Sequence, residues 1–491
     1  MNIGSVGGGP AGLSFILFLK QLDPAHRRTV TEQTLRAQPI AGASSSLSEH
    51  PPYSREEHPM TTTLILKGMT LIDGTGRPPQ EHVILAIRNG RVLYVGDAAG
   101  WIGAPDEPAT VLDLTGHFVL PGLIDCHVHL AGDGAPDGRL RGDIGWATLL
   151  MLKHAQNSLA AGITTIRDVG GRHGLEFAVR SAIESGMWAG PRMQLAGKLL
   201  SITSAGSEYY EGMYREADGH DEVRKAAREQ LKAGADLIKV LATGAVLTPN
   251  ELPGAVQYGL DELRVAVEEA SKVGKPVAAH AHGIEGIRNA VTAGVRTIEH
   301  GTYLHQDEHV MEIMAEQHIF LIPTLKASFD ILSGERPGVP NWILEKMKAI
   351  QDDAMRSVQR AFEMGVPLAM GTDAATPYNL HGDNAMELVW MAEAGLSPMQ
   401  TIVAATANAA CALGWEHWLG TLEQGKVADL IVVSGNPLED LRVLTDRRKI
   451  ELVIKGGEVV ARQYSTGESR IPESVLAGAW ICCGLPQRAL R

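Results

Sequence analysis

From Leu64 onward the chain alternates short apolar runs with turn signals, and farther on with amphipathic helical stretches. The first runs are Leu64–Lys67, Thr70–Ile72, Val83–Arg88 and Arg91–Val95, punctuated by Asp73-Gly74-Thr75-Gly76 and by Asn89-Gly90. Asn-Gly between two alternating runs is a strong hairpin signal, because both residues tolerate positive φ. The same texture returns at Asp429–Val433, Ile450–Ile454 and Glu458–Ala461, so the two ends are expected to build one small β-sandwich. Between them, eight apolar runs alternate with helical segments: Leu120–His129, Thr164–Val169, Met193–Ala196, Leu237–Leu241, Pro276–His280, Thr297–His300, Phe320–Ile322 and Leu368–Gly371. Eight repeated β/α units over about three hundred residues predict an α/β architecture, a (β/α)₈ TIM barrel, whose chemistry sits at the C-terminal strand ends. The expected division is 1–59, a separate leading segment; 60–118, first part of the β-sandwich; 119–415, the barrel; 416–464, second part of the sandwich; and 465–491, a tail without assigned role.

The leading segment has a different character. Ile3-Gly4-Ser5-Val6-Gly7-Gly8-Gly9-Pro10-Ala11-Gly12-Leu13 reads as a strand, glycine turn and helix, and residues 1–30 resemble the start of flavin-dependent monooxygenases. The remaining sheet is missing, Glu32 is poorly placed for a ribose contact, and the serine- and proline-rich stretch from Gln38 to Pro59 has linker composition. This is expected to be a vestigial, unpacked Rossmann-like fragment, and no flavin is expected. Removing Met1–Pro59 is accordingly expected to spare activity.

Composition narrows the function classes. The 57 acidic against 44 basic residues give a net charge of −13, which argues against nucleic acid as a partner. No run approaches the roughly 20 apolar residues of a membrane span, so no membrane partner is expected. Four cysteines, two of them adjacent at Cys482 and Cys483, form no disulfide framework and fit a cytoplasmic setting. Partners are expected to be a small-molecule substrate and, as an open alternative, further copies of the chain.

The predicted strand ends carry the chemistry. His127 and His129 are one residue apart on a strand, so both point to one face while Cys126 points to the other, toward the helix layer. Lys239 sits on the fourth strand, His280 and His282 on the fifth, His300 on the sixth and Asp373 after the eighth. Any one of these has an ordinary explanation as a core histidine, a solvated lysine or a helix cap. Together, at the same end of successive strands, they supply the residue types of a two-metal hydrolytic centre.

The segments Pro121-Gly122-Leu123-Ile124-Asp125-x-His127-x-His129, Ile238-Lys239, His280-Ala281-His282-Gly283, Glu299-His300-Gly301 and Gly371-Thr372-Asp373 resemble the amidohydrolase superfamily from about Leu64 to Arg462. Lys239 and Ala279-His280-Ala281-His282-Gly283 resemble the branch of Xaa-Pro dipeptidases, acyl-amino-acid carboxypeptidases and ochratoxin amidohydrolases. The resemblance implies two divalent ions, zinc by expectation, with His127, His129 and Asp373 on one and His280 and His300 on the other. Lys239, carboxylated by CO₂, would bridge them, and a metal-bridging hydroxide would attack the scissile carbonyl. Asp373 is the expected general base and proton carrier. His282 and Tyr303 are expected substrate contacts. The implied reaction is hydrolysis of a C–N bond, of an N-acyl amino acid or dipeptide first, of a cyclic amide, carbamate or ester as the alternative. A silent binding barrel and a flavin oxidoreductase are the rivals from other classes. One departure stands out: Leu200–Tyr210 lacks the histidine of a Gly-Gly-His-Gly-like turn found in many relatives, which unsettles the substrate, not the ligands.

Overall fold

A computed structural model describes residues 62–103, 108–462 and the short strand 480–481. The chain divides into two units, Met1–Ser54 and Arg55–Arg491, and the first lies wholly outside the described residues, as do the Rossmann-like segment and most of the tail.

The opening strands are β1 (Thr63–Leu71), β2 (Gln80–Arg88), β3 (Arg91–Gly96), β4 (Ala109–Asp113) and β5 (Phe118–Pro121). Asn89 and Gly90 form the β2–β3 turn with φ of 50° and 72°, as the hairpin signal requires. The two runs expected before Asp73 are one strand. Gly68, at φ 80°, takes up the extra residue where the register against β2 shifts between Lys67 and Met69, so the ladder bends without ending.

The barrel strands follow: β6 (Leu123–Val128), β7 (Ile163–Asp168), β8 (Arg192–Leu195), β9 (Leu199–Ser201), β10 (Tyr214–Glu216), β11 (Ile238–Leu241), β12 (Val277–Ala281), β13 (Thr297–His300) and β14 (Phe320–Ile322). The parallel ladders run β6-β7-β8 and β9-β11-β12-β13-β14, with β10 on the outer side of β9. The third barrel strand is broken in two at Gly197, whose φ of 72° turns the chain from its pairing with β7 to its pairing with β11. The eighth position differs from expectation, since Leu368–Gly371 makes only an isolated bridge from Leu368 to Leu321. Pro367 lacks a donor, and closure rests on single bonds: Ala369 N to Leu321 O at 3.1 Å and Cys126 N to Met370 O at 2.8 Å.

The chain returns to the first sheet with β15 (Leu430–Val433), β16 (Ile450–Lys455), β17 (Glu458–Arg462) and β18 (Trp480–Ile481). β15 pairs antiparallel with β5, so segments from both ends form one nine-stranded sheet, with β4 branching from β1; the expected sandwich is hydrogen-bonded as a single sheet. Its core gathers Leu66, Leu85, Ile87, Leu430, Leu452 and Ile454. Gly122 marks the passage into the barrel: its amide donates to Asp429 O at 2.9 Å, and a Cβ there would meet Thr164 Oγ1 at 2.2 Å. Among the described residues no helix is long and apolar enough to cross a membrane.

Candidate metal centre

His127 lies one residue before the end of β6, with His129 just beyond it, and both line the same cavity at the mouth of the barrel. Cys126 points the other way, its Sγ 3.7 Å from Ala409 O in the helix Ala407–Leu413, as strand alternation required. The histidine tautomers follow from their partners. His127 Nδ1 lies 2.7 Å from a Glu299 carboxylate oxygen and His129 Nδ1 lies 3.1 Å from Gly170 O, neither of which can donate. Each ring therefore carries its proton on Nδ1 and aims a bare Nε2 inward. Both Nε2 atoms face one oxygen of Asp373, at 3.5 Å and 3.4 Å. Two bare ring nitrogens and a carboxylate oxygen converge there, an arrangement suited to a cation.

A second convergence adjoins the first. Ligand atoms of His280, His282 and His300 lie within 4.8 Å of one another, as do those of His127, His300 and Asp373, so His300 belongs to both groups. His280 Nε2 donates to Gly244 O at 3.2 Å, which leaves Nδ1 bare. His282 Nδ1 and His300 Nδ1 each sit 2.7 Å from a threonine hydroxyl, of Thr302 and Thr324 respectively. His282 thus stands inside the ligand-type cluster as well as in the cavity wall where a substrate contact was expected. Tyr303 is placed outside that wall, against the apolar cluster of Val246, Ile343 and Met347, with its backbone amide on His282 O at 3.0 Å. Tyr210 and Tyr214 line the cavity instead.

Lys239 projects from β11 into the same space, 2% exposed, and its Nζ has no hydrogen-bond partner among the described residues. Burial pulls its amine down to about 8, which favours the neutral form that adds CO₂. Burial likewise holds His127, His280 and His300 well below the ordinary imidazole range, and His129 at about 4. It raises Asp373 to about 7 in the metal-free chain, against the pull of Lys239. His300 and Asp373 adopt left-handed backbone, φ 71° and 56°, a strain of the kind that collects at working sites.

Beneath these groups lies a polar layer that no motif had flagged for its role. Arg167 on β7, 1% exposed, donates from Nη2 to Glu299 Oε1 at 2.8 Å and from Nε to Cys126 O at 2.5 Å. Glu299, fully buried, therefore links Arg167 to His127. Asp125 accepts from His127 N, Thr372 N, Thr372 Oγ1 and Asn384 Nδ2, tying the end of β6 to the chain around Asp373. Asn384 is thereby a brace for the site, and His381 Nε2 donates to His129 O at 3.1 Å. The available signal was a charged residue inside a barrel strand that is buried along its whole length.

A parallel barrel that collects imidazoles, a lysine and a carboxylate at the C-terminal ends of its strands has the architecture of the barrel hydrolases. The chain belongs to the amidohydrolase family, whose model matches residues 118–460. It is 32% identical over 464 residues to an ochratoxinase of Aspergillus niger, covering 87% of this chain and 92% of that protein. Among solved structures it is similar to a Xaa-Pro dipeptidase with methionine in its active site, at a TM-score of 0.73 and 32% identity over 81% of this chain and 99% of the other. The Aspergillus niger ochratoxinase structure matches at a TM-score of 0.74 and 30% identity, over 84% and 98%. The protein is a hydrolase acting on carbon–nitrogen bonds, within the branch that includes these two relatives.

Proposed function

We propose that the chain hydrolyses an amide bond with two divalent ions. His127, His129 and Asp373 would hold one, His280 and His300 the other, and carboxylated Lys239 would join them. The observation that carries this reading is the convergence of bare His127 and His129 nitrogens on Asp373 beside a buried lysine amine with no partner. When bound, such ions lower the pKa of a water and polarise a carbonyl; zinc suits the nitrogen and oxygen donors, as do manganese and cobalt. Asp373 takes the proton from the attacking water on its carboxylate and delivers it to the leaving nitrogen. Its backbone is held for this by its own N–H on His127 O at 2.8 Å and by Asn379 Nδ2 on Asp373 O at 2.9 Å. His282, beside His300, would contact the substrate.

The test combines metal analysis with ¹³C-labelled bicarbonate. The expected result is two ions per chain, a carbamate carbon signal in wild type that is absent in Lys239→Met, and activity lost on chelation. A fully metal-loaded Asp373→Asn variant with near wild-type turnover would sink the proton-carrying role. The chemistry at the carbonyl is common to acyl amino acids, dipeptides and neutral amides. These substrates differ in the charge beside the leaving nitrogen.

A further inference from the structure

We propose that the substrate is a neutral, apolar amide, anilide or carbamate without a free carboxylate, a statement of substrate class that rests on the C–N hydrolase reading of the site. The cavity has about 1100 Å³ of empty space, counting the part open to solvent. Away from the histidines and Asp373 its wall is largely apolar, with Leu140, Leu199, Met213, Leu241, Met347 and Ile350. Among the described residues no arginine lines it, and its single lysine is Lys239.

Several basic residues next to wall positions are engaged elsewhere, and Arg139, between Gly138 and Leu140, lays its guanidinium over the Tyr209 ring at 4.8 Å. Arg141, after Leu140, pairs with Asp133 and Asp137 at 3.4 Å and 2.6 Å. Lys326, after Leu325, is bonded to Asp330 and Asn379. Lys346, before Met347, donates to Thr248 O at 2.7 Å. The turn that lacks the histidine of its relatives spends its donors internally: Thr203 N and Oγ1 go to Asp218, while Ser204 N and Ser207 Oγ go to Glu216. Tyr210, which lines the cavity, donates its hydroxyl to Leu247 O at 3.1 Å.

Nearby charge has the wrong sign for an anionic substrate. Glu251 accepts from Ala245 N at 2.8 Å with one carboxylate oxygen, while the other is buried without a partner. Its charge adds to burial in raising the phenols of Tyr210 and Tyr214. A substrate carboxylate entering here would lose water, find no cation on the wall except Lys239, which the carbamate reading makes anionic, and meet a like charge.

The experiment uses a matched pair on the zinc-loaded full chain: N-benzoyl-phenethylamine and N-benzoyl-phenylalanine, which differ by one carboxylate. Amine release gives kcat/KM, and calorimetry gives binding. The expected result is a preference for the phenethylamide of roughly a hundredfold or more, in turnover and in binding. Equal or better turnover of the phenylalanine compound overturns the substrate class and leaves the hydrolase reading standing. Selective binding of the phenethylamide with no cleavage of either compound does the reverse. Failure of both compounds to bind overturns the proposal.

Discussion

Glu299→Gln is the substitution that most directly tests how the site is held. The replacement keeps the volume and removes the charge of a side chain with 0% exposure. Glu299 accepts from Arg167 Nη2 at 2.8 Å, from His127 Nδ1 at 2.7 Å and from Thr297 Oγ1. A glutamine has one acceptor oxygen and one donor nitrogen, so either Arg167 or His127 must face an N–H group. If it is His127, the ring is driven to carry its proton on Nε2, where a metal would bind. In both cases Arg167 keeps its guanidinium charge in the barrel interior without an anionic partner. Breaking a buried pair in this way costs about 3–5 kcal/mol. Loss of a partner that orients a metal-binding histidine costs about 10–100-fold in metal affinity. Denaturant midpoints of the metal-free chain measure the first effect, and zinc competition against a chelator measures the second. Glu299→Gln combined with Arg167→Met, which removes the orphaned charge and frees the glutamine oxygen for His127 Nδ1, should regain much of the stability and part of the metal affinity. A stability loss below about 1 kcal/mol with unchanged zinc affinity would refute the coupling, since that is the scale of one ordinary hydrogen bond.

Two further outcomes follow from close packing and from burial. In Gly371→Ala the new Cβ would sit 2.3 Å from Ile322 Cγ2 and 2.8 Å from His127 Cβ, so a loss of about 1–3 kcal/mol is expected together with weaker zinc binding; wild-type behaviour in both assays would show that the strand ends yield easily. Glu176 is fully buried with neither carboxylate oxygen hydrogen-bonded among the described residues, and burial, with Asp168 adding, holds its pKa well above the usual range. The folded chain then keeps a proton that the unfolded chain releases, so this stabilising contribution is present at low pH and lost as pH rises through the raised folded value. Glu176→Gln removes that dependence, and its thermal midpoint relative to wild type should rise between about pH 5 and about pH 9; parallel curves would count against a protonated Glu176.

The groups that line the cavity mouth were legible because strand period and barrel topology both act on them. His127, His129, Lys239, His280, His300 and Asp373 sit where alternation and the C-terminal rule place them, and all line one cavity. The supporting layer was not legible for a physical reason. Arg167 meets Glu299 across 132 positions of sequence and Asp125 meets Asn384 across 259, so their purpose exists only after closure. Strand breaks were hidden for a similar reason. Gly197 reads as a turn, yet the third strand resumes after it because β11 offers a second ladder.

The cavity wall shows where family resemblance stops being informative. Met347 and Ile350 come from the long helix Asn341–Glu363, where an apolar stripe in sequence means only a buried face, whether against core or against substrate. Leu140 comes from the segment between β6 and the helix Ile144–Ala160, and Tyr210 from the stretch between β9 and β10. Connecting segments of this kind can differ in sequence without moving the strand ends that they join. Chemistry at the carbonyl is thus set by the barrel, while the charge and size of what reaches it are set by parts that carry no motif. That separation is why the missing histidine in Leu200–Tyr210 leaves the histidine cluster in place while Asp218 and Glu216 take up the donors of its turn. A relative's substrate therefore transfers to this chain only as far as its wall does, and here the wall holds no arginine and no lysine but Lys239 among the described residues.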